Sequence, residues 1–217
     1  MKEMLPVRPI PASVQFDDPI WISRFLDLAD LMVWLGGKPK LICRYTGLAP
    51  KEVALRYKAL TGREAQAGRL PQSKPGHYAL PSKHRGLDWN LQAAAFASIY
   101  LRIEAALTEP VNRGWLLATA YLAYLRLTDP LRNSIRDLQR LEFNSAYDLM
   151  TLLGRDKDGK SAPLELRNCN VCGTSYLYIT GWTAKRQACP MCGIQRQLET
   201  PADKSRTYFS LRRRKSA

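Results

Sequence analysis

Four of the five cysteines in this 217-residue chain fall in two pairs whose spacing is typical of a metal site. Cys169 and Cys172 form one C-x-x-C pair, Cys189 and Cys192 form the other, and sixteen residues separate the pairs. Two residues between cysteines allow a tight turn that points both thiolates at one ion, and the glycine after each pair favours that turn. Two such turns complete a tetrahedron of four sulfurs. The pattern therefore predicts one Zn²⁺ per chain, bound by all four cysteines.

Four thiolates fill the coordination sphere of zinc and leave no position for water or substrate, so the predicted site is structural. An iron–sulfur cluster or a redox-active dithiol pair is the alternative that the spacing leaves open. Cys43 stands far from the pairs and is interpreted as a small buried hydrophobic residue rather than a further ligand. Because residues 1–16 lack the apolar run of a secretory signal, we expect a cytoplasmic protein whose thiols stay reduced.

Catalytic motifs are not found in the sequence, which has no P-loop, no nucleophile elbow and no H-E-x-x-H zinc motif. The two histidines, His77 and His84, lie in a stretch rich in glycine and proline, without a cysteine nucleophile or a carboxylate pair nearby. They are interpreted as exposed loop residues. We therefore expect a binding protein rather than an enzyme.

The charge of the chain favours a polyanionic partner. There are 33 Lys and Arg residues against 19 Asp and Glu, a formal net charge of +14. Residues 1–150 hold 20 basic and 14 acidic side chains, whereas residues 151–217 hold 13 basic and 5 acidic ones, so the excess is concentrated around the cysteines. DNA, RNA and an anionic membrane all attract such a surface, but the sequence has no apolar run long enough to span a bilayer. We expect nucleic acid and no membrane.

Basic residues of the cysteine region and of the C-terminal tail are the candidate nucleic-acid contacts. They are Lys185, Arg186, Arg196, Lys204, Arg206, Arg212, Arg213, Arg214 and Lys215. Tyr208 and Phe209 interleave the tail residues, and tails of this kind neutralise phosphates when they bind.

Apolar periodicity predicts that the rest of the chain is helical. A first helix is expected from the Asp18-Pro19 start signal to Gly36-Gly37. Residues 39–62 predict two short helices around Gly47, the outline of a helix-turn-helix, although Arg56 stands where that motif has an apolar residue. Both a DNA-reading motif and an ordinary pair of antiparallel helices remain open.

Further helices are expected over residues 89–107 and 111–127, and a third is expected to open at Asp129-Pro130. That third helix would carry a basic stripe of Arg132, Arg136 and Arg140, interpreted first as a solvated face. Between the cysteine pairs, residues 175–180 are prone to form a β-strand.

The predicted fold is mostly α: a multi-helix domain followed by a small zinc-ribbon-like module and a basic tail. We place the helical domain, which would also bind a partner, at residues 1–153. A polar linker follows at 154–163, the zinc-binding module at 164–200 and the basic tail at 201–217.

The chain resembles the FlhC family, the zinc-binding subunit of the bacterial flagellar master transcription activator. The C-x2-C-x16-C-x2-C spacing is similar to that family's cysteine cluster, and so is the segment from Thr46 to Gly62 with the following Gly68-Arg-Leu-Pro71 and Ser73. The resemblance covers about residues 22–192. It implies a mostly helical protein that joins a small helical FlhD-like partner in a hetero-oligomer and activates promoters, with the four paired cysteines as metal ligands.

These observations predict a DNA-binding transcriptional activator subunit. It would act with an FlhD-like partner on double-stranded DNA, with RNA polymerase as a further candidate partner, to switch on flagellar-type or conjugation-type genes. The alternative is a zinc-ribbon RNA-binding or ribosome-associated factor, because charge does not distinguish DNA from RNA.

Overall fold

A computed structural model describes residues 8–65, 68–80, 87–134, 140–154, 162–182 and 189–193 of the chain. Over these ranges the protein is mostly helical, as predicted, with one two-stranded antiparallel sheet. The helices are α1 (Ile22–Trp34), α2 (Pro39–Thr46), α3 (Pro50–Thr61), α4 (Gly76–Ala79), α5 (Leu87–Ala106), α6 (Arg113–Ser134) and α7 (Phe143–Leu153), and the strands are β1 (Leu164–Asn168) and β2 (Ser175–Ile179). No helix within these ranges is long and apolar enough to cross a membrane.

Helix α1 begins at Ile22, three residues later than the first helical position, Pro19, that the Asp18-Pro19 signal predicts. Asp18 instead stabilises a turn ahead of the helix, because its Oδ1 accepts a hydrogen bond of 3.0 Å from the backbone N–H of Ile20. The backbone N–H of Trp21 donates to the carbonyl of Asp18 at 3.0 Å and closes that turn. The predicted end is close to the observed one, since the helix stops at Trp34 and Gly36 adopts a φ of 81°.

The helix pair predicted over residues 39–62 is present as α2 and α3. Each has a proline in its first turn, and Gly47 ends α2 in the left-handed conformation with a φ of 75°. Arg56, the residue that departs from the helix-turn-helix pattern, is half-buried on α3, and its Nη1 lies 2.5 Å from Oδ1 of Asp30 on α1. An ion pair thus occupies the place where the motif has an apolar contact.

Helix α6 continues through Asp129-Pro130, so the prediction that a new helix opens there is wrong. Arg126 and Pro130 are both exposed, so the proline lies on the solvent side of α6, where it does not disturb the packing of the helix on the core. The predicted arginine stripe is also not seen as such. Arg140 lies beyond α6 and its Nη2 is 2.7 Å from Oδ1 of Asp129, whereas the side chains of Arg132 and Arg136 lie outside the described part of the chain.

The strand pair β1–β2 rests on the helical core. Leu164 lies opposite Ile179 and Leu166 lies opposite Leu177, so alternate side chains face the same side of the ribbon. Leu164, Leu177 and Ile179 belong to the same hydrophobic cluster as the helices, and the strands contact α4, α5 and α7. The cysteine region is therefore anchored by apolar packing at its N-terminal end. The domain bounds 1–153, 154–163, 164–200 and 201–217 stay predictions.

Candidate metal centre

The first cysteine pair lies in the turn that joins the two strands. Asn168 and Ser175 form the last strand pair, and the backbone N–H of Cys169 donates to the carbonyl of Thr174 at 3.0 Å, which continues the ribbon into the turn. The N–H of Gly173 then donates to the carbonyl of Cys169 at 2.9 Å, with a φ of 71° at Gly173. A side chain at this glycine would be strained, so the residue after the pair is part of what forms the turn.

The second pair forms a turn of the same kind. The backbone N–H of Gly193 donates to the carbonyl of Cys189 at 3.0 Å, as Gly173 does to Cys169 in the first pair. Cys189 and Cys192 are both buried, whereas Cys169 is half-buried and Cys172 is exposed. The second turn therefore supplies the inner side of the cluster and the first turn supplies the outer side.

The four predicted cysteines converge on one point. The Sγ atoms of Cys169 and Cys192 are 3.5 Å apart, and those of Cys172 and Cys189 are 3.6 Å apart. All four Sγ atoms lie within 4.8 Å of one another. Each short distance joins one turn to the other, so neither pair alone makes the site. The cluster could hold a metal ion.

Local hydrogen bonds give the four thiols different acidities. Hydrogen bonds from Thr174 lower the pKa of Cys172 to about 6, and backbone N–H groups in the turn lower the pKa of Cys169. The hydrogen bond to Cys169 raises the pKa of Cys192 to about 12, and burial raises the pKa of Cys189. The two thiols of the outer turn are thus the more acidic ones, and a cation that binds all four sulfurs must displace protons from the inner turn.

Cys43 is separate from this cluster, as predicted. It lies on α2, half-buried and packed against the hydrophobic core, and burial raises the pKa of its thiol. Among the described residues, the metal-capable group consists of the other four cysteines.

His77 is not the exposed loop residue that the sequence analysis expects. It is half-buried on the short helix α4, and its ring packs at 4.7 Å from that of Tyr78 and at 5.7 Å from that of Trp89, measured between centroids. The indole Nε1 of Trp89 also donates to the carbonyl of His77 at 3.0 Å. These contacts explain the position of His77 by its packing against neighbouring aromatic rings. His84 lies outside the described residues.

The candidate nucleic-acid residues lie outside the part of the chain that the structure describes. They are Lys185, Arg186, Arg196, Lys204, Arg206, Arg212, Arg213, Arg214 and Lys215. Closer to the cysteines, Arg167 on β1 is within the described part and is engaged by the protein. Its guanidinium contacts the carboxylate of Glu165 at 2.8 Å and lies 3.6 Å from the ring centre of Tyr178.

Two features near the cysteines were missed by the sequence analysis. The first is strand β1, which opens the segment predicted as the zinc-binding module; its signal is the alternation of Leu164 and Leu166 with the charged Glu165 and Arg167. The second is that the residue before the second cysteine of each pair is an exposed apolar one, Val171 or Met191. The strand predicted between the pairs is present as β2, and its pairing with β1 makes a hairpin that encloses the first pair.

Comparisons with known proteins do not assign this chain to a family. No protein-family model matches the chain, and no curated protein does either.

Proposed function

We propose that Cys169, Cys172, Cys189 and Cys192 bind one structural Zn²⁺. A zinc–sulfur bond of about 2.3 Å in a tetrahedron places neighbouring sulfurs about 3.8 Å apart. The two short Sγ–Sγ distances of 3.5 and 3.6 Å, with all four atoms within 4.8 Å, are close to that spacing. A single ion fits this cluster better than a polynuclear iron–sulfur centre, whose cysteines bind different irons.

The role we assign to the ion is to join the two turns. The first turn is already part of a strand pair whose inner side chains reach the core, whereas residues 183–188 separate it from the second turn. Binding of both turns by one ion links the two ends of the chain segment between them, and metal binding of this kind contributes to the free energy of folding. Because the protein provides all four ligands, we assign the ion no catalytic step.

We propose that the protein is a DNA-binding transcriptional activator subunit. The observation that carries this proposal is the location of a closed cysteine cluster in the most basic part of the chain, residues 151–217, with 13 basic and 5 acidic side chains. A small folded module next to basic segments combines a fixed position with affinity for phosphates. The resemblance to the FlhC family supports the same function and suggests flagellar-type or conjugation-type target genes.

We propose that the subunit acts with a small helical FlhD-like partner, with RNA polymerase as a further contact. The helical region offers apolar surface for a partner, because Trp34 on α1 and Leu55 on α3 are 56% and 69% exposed. Helices α1 and α3 contact each other, so both residues belong to the same part of the molecule. Apolar side chains on the exposed face of a helix are typical contacts when one helix docks on another protein surface.

The salt dependence of duplex DNA binding by the full chain tests this proposal, measured with and without the partner and before and after zinc is removed by a chelator. Steep salt dependence that is lost with the metal supports a DNA-binding role for the cysteine region. Preference for a structured RNA of the same length would favour the alternative, a zinc-ribbon RNA-binding factor. If duplex binding is unchanged after the chelator has removed zinc, the DNA-binding activity belongs to the helical region.

A further inference from the structure

Four basic side chains come together where helix α2 meets the segment 68–75, which precedes α4. They are Lys38, the residue before the first turn of α2, Lys40 and Arg44 on the helix, and Arg69 in the segment. The ammonium of Lys38 donates to the backbone carbonyl of Arg69 at 2.6 Å, which holds the segment against the start of α2. Lys40 and Arg44 are both exposed and lie one helical turn apart, so they share the solvent face of α2. We call these four residues the α2 patch.

Contacts with α7 fix the position of the α2 patch. The backbone N–H of Lys38 donates to Oδ1 of Asn144 at 2.9 Å, and Nη1 of Arg44 donates to the hydroxyl of Tyr147 at 2.6 Å. Asn144 and Tyr147 are three residues apart, so they lie on the same face of α7. Both ends of the basic row on α2 are therefore attached to one surface, and the row keeps its geometry before a ligand binds.

The positive charge of the α2 patch is not neutralised by the protein. The polar groups that contact Lys38 and Arg44 are a carbonyl and a hydroxyl, which are neutral. Within the described ranges, no ion pair includes a residue of the patch, whereas Lys58 and Arg113 each lie 3.3 Å from a carboxylate oxygen. Four like charges without carboxylate partners attract an anion.

The exposed residues around the patch indicate which anion fits. On α2 they are Lys40 and Arg44, and in the segment 68–75 they are Gly68, Arg69, Gln72 and Lys74. This surface is basic and polar. A protein interface buries an apolar core, and a membrane-binding surface places apolar side chains beside the basic ones. A phosphate backbone needs neither, because Lys and Arg bind it through charge.

We propose that the α2 patch binds phosphates of duplex DNA. This inference rests on the proposed DNA-binding function and adds to it a contact surface in the helical region, separate from the cysteines. The order of the helices is consistent with it, since the first helix of a helix-turn-helix crosses the phosphate backbone and α2 is the first helix of the pair α2–α3. Phosphate contacts carry no sequence information, so the patch sets affinity and position rather than sequence preference.

The test removes two exposed charges of the patch in the full chain, as Lys40→Gln with Arg69→Gln. The dissociation constant for a duplex is then measured from about 50 to 200 mM salt. We expect the slope of log K against log salt to flatten by about two, and binding to weaken about tenfold or more at the lowest salt, for all duplex sequences alike. Bound zinc and the helical circular dichroism signal, both at wild-type levels, show that the variant is folded.

Arg44 separates charge from hydrogen bonding. Arg44→Gln, added to the double variant, removes a third charge and flattens the slope by about one more. Arg44→Lys in the same background keeps the charge without the guanidinium that contacts Tyr147, so its slope stays at the value of the double variant.

The matched control lowers the net charge by the same two at groups that already have carboxylate partners. It is Lys58→Gln with Arg113→Gln, because these residues pair with Glu64 and Glu104. The salt slope of this control stays at the wild-type value if the effect belongs to the α2 patch. Equal flattening in both double variants would assign the effect to total charge and overturn the inference.

Three further results overturn the inference and leave the proposed function standing. They are a wild-type slope in the folded Lys40→Gln, Arg69→Gln variant, an altered sequence preference with an unchanged slope, and a loss of affinity confined to structured RNA. If the wild-type chain itself shows no salt-dependent binding to duplex DNA, the proposed function falls and this inference falls with it.

Discussion

The side chain of Asp148 on α7 accepts a hydrogen bond of 2.8 Å at Oδ2 from the hydroxyl of Tyr78 on α4. The carboxylate is 3% exposed, and it also accepts from the backbone N–H of Ser73, at 3.0 Å to Oδ2 and 3.2 Å to Oδ1. Burial and the bond to Asp148 raise the pKa of Tyr78, so the phenol stays a donor. The buried carboxylate of Asp148 thus links the segment before α4 to α7, the helix that precedes the cysteine region.

Asp148→Asn should destabilise the protein by about 2–3 kcal/mol, because the amide replaces one acceptor oxygen with a donor and leaves buried groups unpaired. Tyr78→Phe keeps the ring and removes one donor, so its cost should be smaller, about 1–2 kcal/mol. Urea unfolding followed by circular dichroism measures both. Asp17→Asn, at an exposed carboxylate, is the matched control and should change stability by less than about 0.5 kcal/mol. If Asp148→Asn lowered the free energy of unfolding by less than about 0.5 kcal/mol as well, the network would not be needed for stability.

Gly114 is required for the packing of α6 on α2. A Cβ at this position would lie 2.4 Å from Cβ and 2.5 Å from Cγ of Tyr45, closer than these atoms can approach. Gly114→Ala should therefore cost about 1–3 kcal/mol, as overpacking does in a well-packed core. Gly154→Ala is the matched control, since its nearest neighbour would be 3.6 Å away and its φ is −74°. Equal melting temperatures for the two variants would contradict this account of the α2–α6 contact.

The helix pair α2–α3 and the cysteine cluster were predictable because their signals are local. A proline at the start of each helix, a glycine between them and two residues between paired cysteines each act over one turn of chain. Such patterns fix the residues that come together even when the rest of the fold is unknown. The four cysteines meet within 4.8 Å, as their spacing predicts.

What the sequence did not predict depends on contacts between distant residues. Asp129-Pro130 has the composition of a helix start, yet α6 continues through it, with Pro130 on the exposed side of the helix and away from the core. Strand β1 is short, and its assignment depends on pairing with β2 and on the place of Leu164 in the helical core. Neither fact can be read from a window of a few residues.

Cys169→Ser should lower bound zinc from one per chain to well below one, because three thiolates bind the ion less tightly than four. The helices and the strand pair should persist, since the inner side chains of β1 and β2 pack on the core, while the second turn loses its attachment. Metal analysis by mass spectrometry, with circular dichroism, checks both expectations. Cys43→Ser removes a thiol on α2, outside the cluster, and should retain full zinc content. Equal zinc in both variants would remove Cys169 from the ligand set.

Deletion of residues 204–217 should weaken binding to all duplex sequences alike. The segment holds six basic residues and no acidic one, and phosphate contacts carry no sequence information. If all six contact phosphates, the slope of log K against log salt should flatten by about five, in proportion to the counterions released. A chain with Tyr208→Ala and Phe209→Ala keeps every charge and is the matched control, so its slope should stay at the wild-type value. A deletion that altered sequence preference without altering the slope would instead assign base contacts to the tail.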